Sequence, residues 1–221
     1  MRSHVAPPDE ALASGPAERS PAARSLARLG RPDRWGGTEG NELLTSATAA
    51  VLTVLLAAEG LTILNMGGLR TAHMFVGLVL IPPVLVKLGS TGYRFARYYT
   101  RSSAYRAKGP PLLALRLLAP VLVALTIAVL VSGVLLMVAG HKSDTLLLIH
   151  KASFIGWGAV FAVHFLAYIP RVARSLSAGL GAARREAVPG AGLRAMLLAA
   201  ALGGGVAVAI ALLPTIEAWQ R

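Results

Sequence analysis

Five long apolar blocks run through the chain, at about Leu43–Leu64, Ala72–Leu88, Leu112–Gly140, Thr145–Ile169 and Leu193–Leu213. A helix of about 20 apolar residues crosses the hydrocarbon core of a bilayer. Lipid leaves few other solutions, because backbone groups there must be satisfied within the segment. Composition agrees: 55% of the 221 residues are hydrophobic and only 14% are charged, too few to coat a soluble domain of this size. The expectation is an all-α integral membrane protein with five spans. The second block is at the short limit for crossing, and Pro82-Pro83 is expected to kink it or end its regular hydrogen bonding early. With no cysteine, disulfides, thiolate catalysis, iron–sulfur ligation and covalent haem attachment are excluded.

The net charge of +12 would suggest nucleic acid in a soluble chain, but here the basic residues lie between apolar blocks, so no nucleic-acid partner is expected. Arg2, Arg19, Arg24, Arg28, Arg31 and Arg34 precede the first block. Arg94, Arg97, Arg101, Arg106, Lys108 and Arg116 follow the second, and Arg171, Arg174, Arg184, Arg185 and Arg194 follow the fourth. The opposite side carries only Arg70, Lys142, Lys151 and Arg221. Positive residues stay inside, so the N-terminus is expected in the cytoplasm and the C-terminus outside. The tyrosines among the arginines of Gly92–Pro111 suit headgroup level, with the arginines on anionic membrane lipid.

The expected organisation is a disordered cytoplasmic tail at 1–42, a four-helix core at 43–170, a cytoplasmic loop at 171–192, and a fifth transmembrane helix with a short outer tail at 193–221.

The fourth block, LLLIHKASFIGWGAVFAVHFLAYIP, carries His150 and His164. Fourteen residues of helix separate them by roughly 21 Å and leave them within about 40° of one face. Trp157 lies midway on the same stripe. The second block also enters from the outside, placing His73 at the depth of His150 and Lys87, fourteen residues on, at the depth of His164. Two imidazoles at matched depth on neighbouring helices are what a haem iron takes as axial ligands. Gly60, Gly77 and Gly133 fall near that level and give a flat macrocycle room. Arg70 and Lys151, near the outer surface, could pair with propionates. The inner level has Thr45, Ser46, Thr48, Arg116 and Pro120 facing Lys87 and His164, and reads as a polar pocket. Against this stands plain helix packing: a membrane histidine can simply hydrogen-bond a neighbouring helix.

Histidines fourteen apart on the second and fourth helices of an N-in bundle, with the segment HKASFIGWGAVFAVH, resemble the bacterial cytochrome b-561 group. This group includes the b-type subunits that anchor hydrogenases and formate dehydrogenases. The resemblance covers about Leu43 to Pro170. It implies a four-helix haem-binding core in a bacterial-type inner membrane. The implied function is electron transfer between a redox partner subunit and the quinone pool through haem b. It makes His73 and His150 ligands of an outer haem and His164 one ligand of an inner haem. Lys87 stands where the family's fourth histidine belongs, which leaves the second haem open. Lys87 could ligate iron as a neutral amine, or leave His164 as a lone ligand. It could also serve with His164 at a quinone headgroup, or snorkel to the lipid headgroups. Glu59 could orient a ligand imidazole or relay protons, or sit in headgroup water. The rival functions are a haem-free transporter and a structural anchor subunit of a larger complex. The chain has no P-loop, nucleophile elbow or HExxH.

Overall fold

The computed structural model describes residues 37–100, 102–107, 113–140, 143–179 and 188–219. They form seven helices: α1 (Gly37–Ile63), α2 (Met66–Tyr99), α3 (Ser103–Ala107), α4 (Leu113–Ala139), α5 (Asp144–Gly179), α6 (Ala191–Ala211) and α7 (Leu213–Ala218). No strand occurs among the described residues. Five of the helices, α1, α2, α4, α5 and α6, are long and apolar enough to cross a membrane. Large apolar side chains point outward along them, including Val54, Val138, Ile155, Leu166 and Met196. Water would penalise such a surface and lipid does not.

The helices are organised as two hairpins and a cover. Only Leu64 and Asn65 separate α1 from α2, and the Asn65 side chain accepts a hydrogen bond from the Gly68 amide at 3.2 Å, capping α2. So short a link makes the two helices antiparallel neighbours. The second hairpin, α4/α5, turns at Gly140, whose φ of +70° is the left-handed value favouring glycine after a helix. Ser143 then accepts from the Leu146 amide at the start of α5. Helix α2 is the common element, packed on α1, on α6 and, less closely, on α4.

Several boundaries differ from the sequence reading. Helix α1 begins at Gly37 rather than Leu43. Of the tail expected at 1–42, residues 1–36 lie outside the described set. Helix α5 continues to Gly179, so the loop expected from 171 starts later, and 180–187 also lie outside. The second span departs most. Helix α2 runs 34 residues straight through Pro82 and Pro83, and its non-helical backbone is at Leu69 (φ −115°, ψ 17°), near its start.

The proline pair survives inside α2 because α6 packs over it. Pro82 and Pro83 have no N–H, so the Leu78 and Val79 carbonyls lose their helical donors. Gly205 of α6 rests on this spot: a Cβ there would lie 2.9 Å from the Val79 oxygen and 3.3 Å from Pro82 Cδ. A glycine lets the α6 backbone close on the freed carbonyl, and its Cα–H groups can point at it. Pro83 is fully buried, as is Ala209, one turn beyond Gly205. The core continues through Leu78, Val79, Met137 and Ile216.

The expected fifth helix is thus part of the core. It ends at Ala211, before Pro214, which opens α7. Trp219 then donates from Nε1 to the Met137 carbonyl at 2.9 Å, in the last turn of α4, where helix carbonyls lack intrahelical donors.

Candidate functional site

Each hairpin presents one histidine from its second helix, and its first helix holds that ring by the same device. On α2, His73 Nδ1 lies 2.9 Å from Glu59 Oε1 and 2.9 Å from Thr62 Oγ1, both on α1. On α5, His150 Nδ1 lies 3.0 Å from the Val129 carbonyl and 3.1 Å from Ser132 Oγ, both on α4. The partners are three residues apart in both cases, hence on one helix face. Both hydroxyls already donate to their own helix, Thr62 to the Glu59 carbonyl at 2.5 Å and Ser132 to the Ala128 carbonyl at 2.6 Å. Each therefore accepts from the imidazole. Facing only acceptors, Nδ1 carries the hydrogen in both rings, and the lone pair of the neutral imidazole is on Nε2.

The two rings meet between the hairpins, with centroids 6.3 Å apart and planes at 82°. That is near the wide end of edge-to-face ring contact. Among the described residues no group of three or more His, Cys, Asp or Glu side chains could hold a metal ion. The pair can offer two nitrogen ligands only.

Of the glycines expected to give a macrocycle room, Gly133 lies against the His150 imidazole itself. A Cβ on it would lie 3.1 Å from His150 Cε1, so its absence lets the ring reach the Val129 carbonyl. Gly77 lies against Glu59, where a Cβ would stand 3.5 Å from Oε1. Gly60 is exposed, with nothing within 4 Å of a Cβ, and touches neither histidine. With Glu59 turned toward His73, the next residue is rotated about 100° away. The same rotation leaves Lys151, next to His150, exposed. Arg70 is half-buried one turn before His73, beside the break at Leu69. Glu59 is held by His73, and its Oε2 is buried without a hydrogen-bond partner among the described residues, which favours the orienting role.

The Lys87 level is built differently. Lys87 Nζ donates to the Thr45 carbonyl at 2.8 Å, tying α2 to α1. Thr45 in turn donates to Ser90 Oγ at 3.1 Å, and Ser90 to the Lys87 carbonyl at 3.0 Å. Thr48 is buried but spends its hydroxyl on the Leu44 carbonyl of its own helix. Arg116, expected to face Lys87 and His164, instead donates to the Tyr99 hydroxyl, with its guanidinium 5.9 Å from that ring. His164 stacks on Tyr168 at 4.7 Å, and its Nδ1 is buried with no hydrogen-bond partner among the described residues. Among the described residues no acceptor pair like Glu59/Thr62 holds its ring.

Between the levels, Trp157 turns to α4 and donates to Thr126 Oγ1 at 3.0 Å. It stacks on Phe161 at 4.6 Å, which is 5.5 Å from Phe165. Trp157, midway between the two histidines, is thus tied to α4, while the aromatic stack it begins runs along α5 itself. Sequence reasoning missed Thr62, Val129 and Ser132. A hydroxyl three residues after Glu59 in an apolar helix was a usable signal, but a backbone carbonyl leaves none.

Comparison with protein-family models, curated proteins and solved structures found no match for this chain.

The role of Gly133 is testable. Gly133→Ala is expected to push His150 off the Val129 carbonyl, and Gly60→Ala to leave the site unchanged. The shift in the His150 ring resonances of labelled protein would distinguish them.

Proposed function

We propose that the chain is a membrane b-type cytochrome carrying one haem between His73 and His150. One observation carries this reading: two imidazoles from separate hairpins, each with Nδ1–H fixed by a pair of acceptors and Nε2 left over. Metal-bound histidine has this arrangement, with the distal N–H given to a carboxylate or carbonyl to fix tautomer and orientation. The two rings also come from different helices to within 6.3 Å of each other, so His73 and His150 would be the residues to hold the group. A two-nitrogen set suits haem, whose porphyrin supplies the other four ligands, better than a bare ion.

Bound there, haem b supplies one-electron exchange. The protein's part is to hold the two nitrogens and to set the charge around them. On the His73 side the acceptor is a carboxylate, and on the His150 side it is a neutral carbonyl. A negative group hydrogen-bonded to a ligand raises its basicity and favours the more positive metal. Glu59→Gln is therefore expected to raise the midpoint potential, while Ser132→Ala moves it little. A potentiometric titration followed at the haem absorption bands measures both; equal shifts would contradict the assignment.

Only one haem is proposed. His164 lacks the paired acceptors, and Lys87 already donates to Thr45. His164 Nδ1, buried with no hydrogen-bond partner among the described residues, is instead proposed with Lys87 as the polar end for a quinone headgroup, in keeping with electron exchange between a redox partner and the quinone pool. His164→Ala and Lys87→Met are expected to keep the haem content of the parent and to slow its reduction by a short-chain quinol by tenfold or more. Haem loss in His164→Ala would count against the single-site reading.

A further inference from the structure

We propose that α7 is a clasp that sets the spacing between the two hairpins at the His73–His150 pair, with Ile216 and Trp219 as the positioning residues. Helix α6 packs on the first hairpin, and the chain then returns through α7 to touch α4 as well as α2. Pro214 opens α7, so its missing N–H falls in the first turn, where no intrahelical acceptor is available. The turn brings Ile216 inward, and its side chain is fully buried. Direct packing of α2 on α4 is looser than the packing within either hairpin, so the distance between the two rings can respond to whatever bridges them.

The contacts of α7 fall on the segments that carry the histidine pair. Ile216 shares a core with Leu78 and Val79 of α2 and Met137 of α4. Packed against that core are Met74 and Phe75, the two residues after His73, and Val134, the residue after Gly133, which abuts the His150 ring. Trp219 Nε1 donates to the Met137 carbonyl, 2.9 Å away and one turn beyond Gly133. Ile216 and Trp219 are three residues apart, so one face of the turn makes both contacts. Each imidazole is held by acceptors within its own hairpin. Loosening α7 therefore leaves both rings on their acceptors and alters the distance between them.

Electron–electron double resonance on the full chain in detergent, purified without haem, tests this, and the absence of native cysteine lets spin labels be placed singly. Leu61→Cys on α1 with Leu148→Cys on α5, both exposed, spans the hairpins, and Val131→Cys with Leu148→Cys lies within the second. The parent is expected to give one narrow distance across the hairpins. Trp219→Phe, which keeps a ring and loses the donor, should raise the share of wider spacings about fivefold, the worth of one hydrogen bond. Ile216→Ala should raise it further, and Glu217→Gln, exposed on the same helix, should not. The pair within the hairpin should be unmoved by all three. The consequence for cofactor retention rests on the haem reading above: Trp219→Phe should bind as much haem as the parent and lose it several-fold faster to apomyoglobin. Parental distances in both Trp219→Phe and Ile216→Ala would overturn the clasp, and so would equal broadening of the pair within the hairpin, or haem loss at the parental rate. A parent that binds no haem would sink the haem reading alone, because the distances are measured without it.

Discussion

His150→Ala is expected to abolish the reduced-minus-oxidised haem signal of the purified protein, and His73→Ala to do the same. Each imidazole comes from a different hairpin, and each supplies one of only two protein nitrogens at the site. On the proposed reading, removing either would take away one of the two residues that would hold the haem, and would leave neighbours built for a ring that is gone: Glu59 would be buried without its partner on α2, or the Val129 carbonyl and Ser132 without theirs on α5. The first loss is the more costly, because an unpaired buried carboxylate is penalised more than a carbonyl that keeps its helical bond. His73→Ala should therefore also lower thermal stability more than His150→Ala, by about 1 to 3 kcal/mol. Circular dichroism melts in detergent read the difference. His164→Ala is the internal control, and equal haem loss in all three would contradict a single site.

Gly205→Val is the second change with a large expected effect. The added Cβ would stand 2.9 Å from the Val79 oxygen and 3.1 Å from Val79 Cα, both backbone atoms that cannot rotate aside. Helix α6 must then move off α2, uncovering Leu78, Val79, Pro83 and Ala209 and leaving the carbonyls freed by Pro82 and Pro83 to lipid. Overpacking alone costs about 1 to 3 kcal/mol, and loss of the close contact adds to it. Gly203→Val, two residues away with nothing within 4 Å, provides the contrast. It should melt with the parent, whereas Gly205→Val should melt well below it. If the two variants melted together, Gly205 would not be the contact holding α6 in place.

Much of this was legible from residue spacing. The apolar blocks named the five helices that the structure makes long enough to cross a membrane, because lipid imposes one secondary structure on such runs. The equal depth of His73 and His150 followed from a fixed rise per residue, and their rings do approach. What escaped was set by tertiary contact. Pro82 and Pro83 read as a break, and they are tolerated because Gly205, over 120 residues away in the chain, covers the exposed carbonyl. Gly60 and Gly133 looked equivalent in sequence, but only Gly133 faces an imidazole, which a depth argument without rotation could not tell. Arg116 was drawn inward by its depth, and its partner turned out to be Tyr99 at the end of a helix longer than its apolar part.

The central claim is one haem held by two histidines, and a haem count on the purified, unmodified chain tests it most directly. Expressed with sufficient haem, extracted in mild detergent and assayed as the pyridine haemochrome against protein from amino-acid analysis, the chain should give one non-covalent haem b per polypeptide. No haem would contradict the account outright, and two per chain would contradict the single site between His73 and His150.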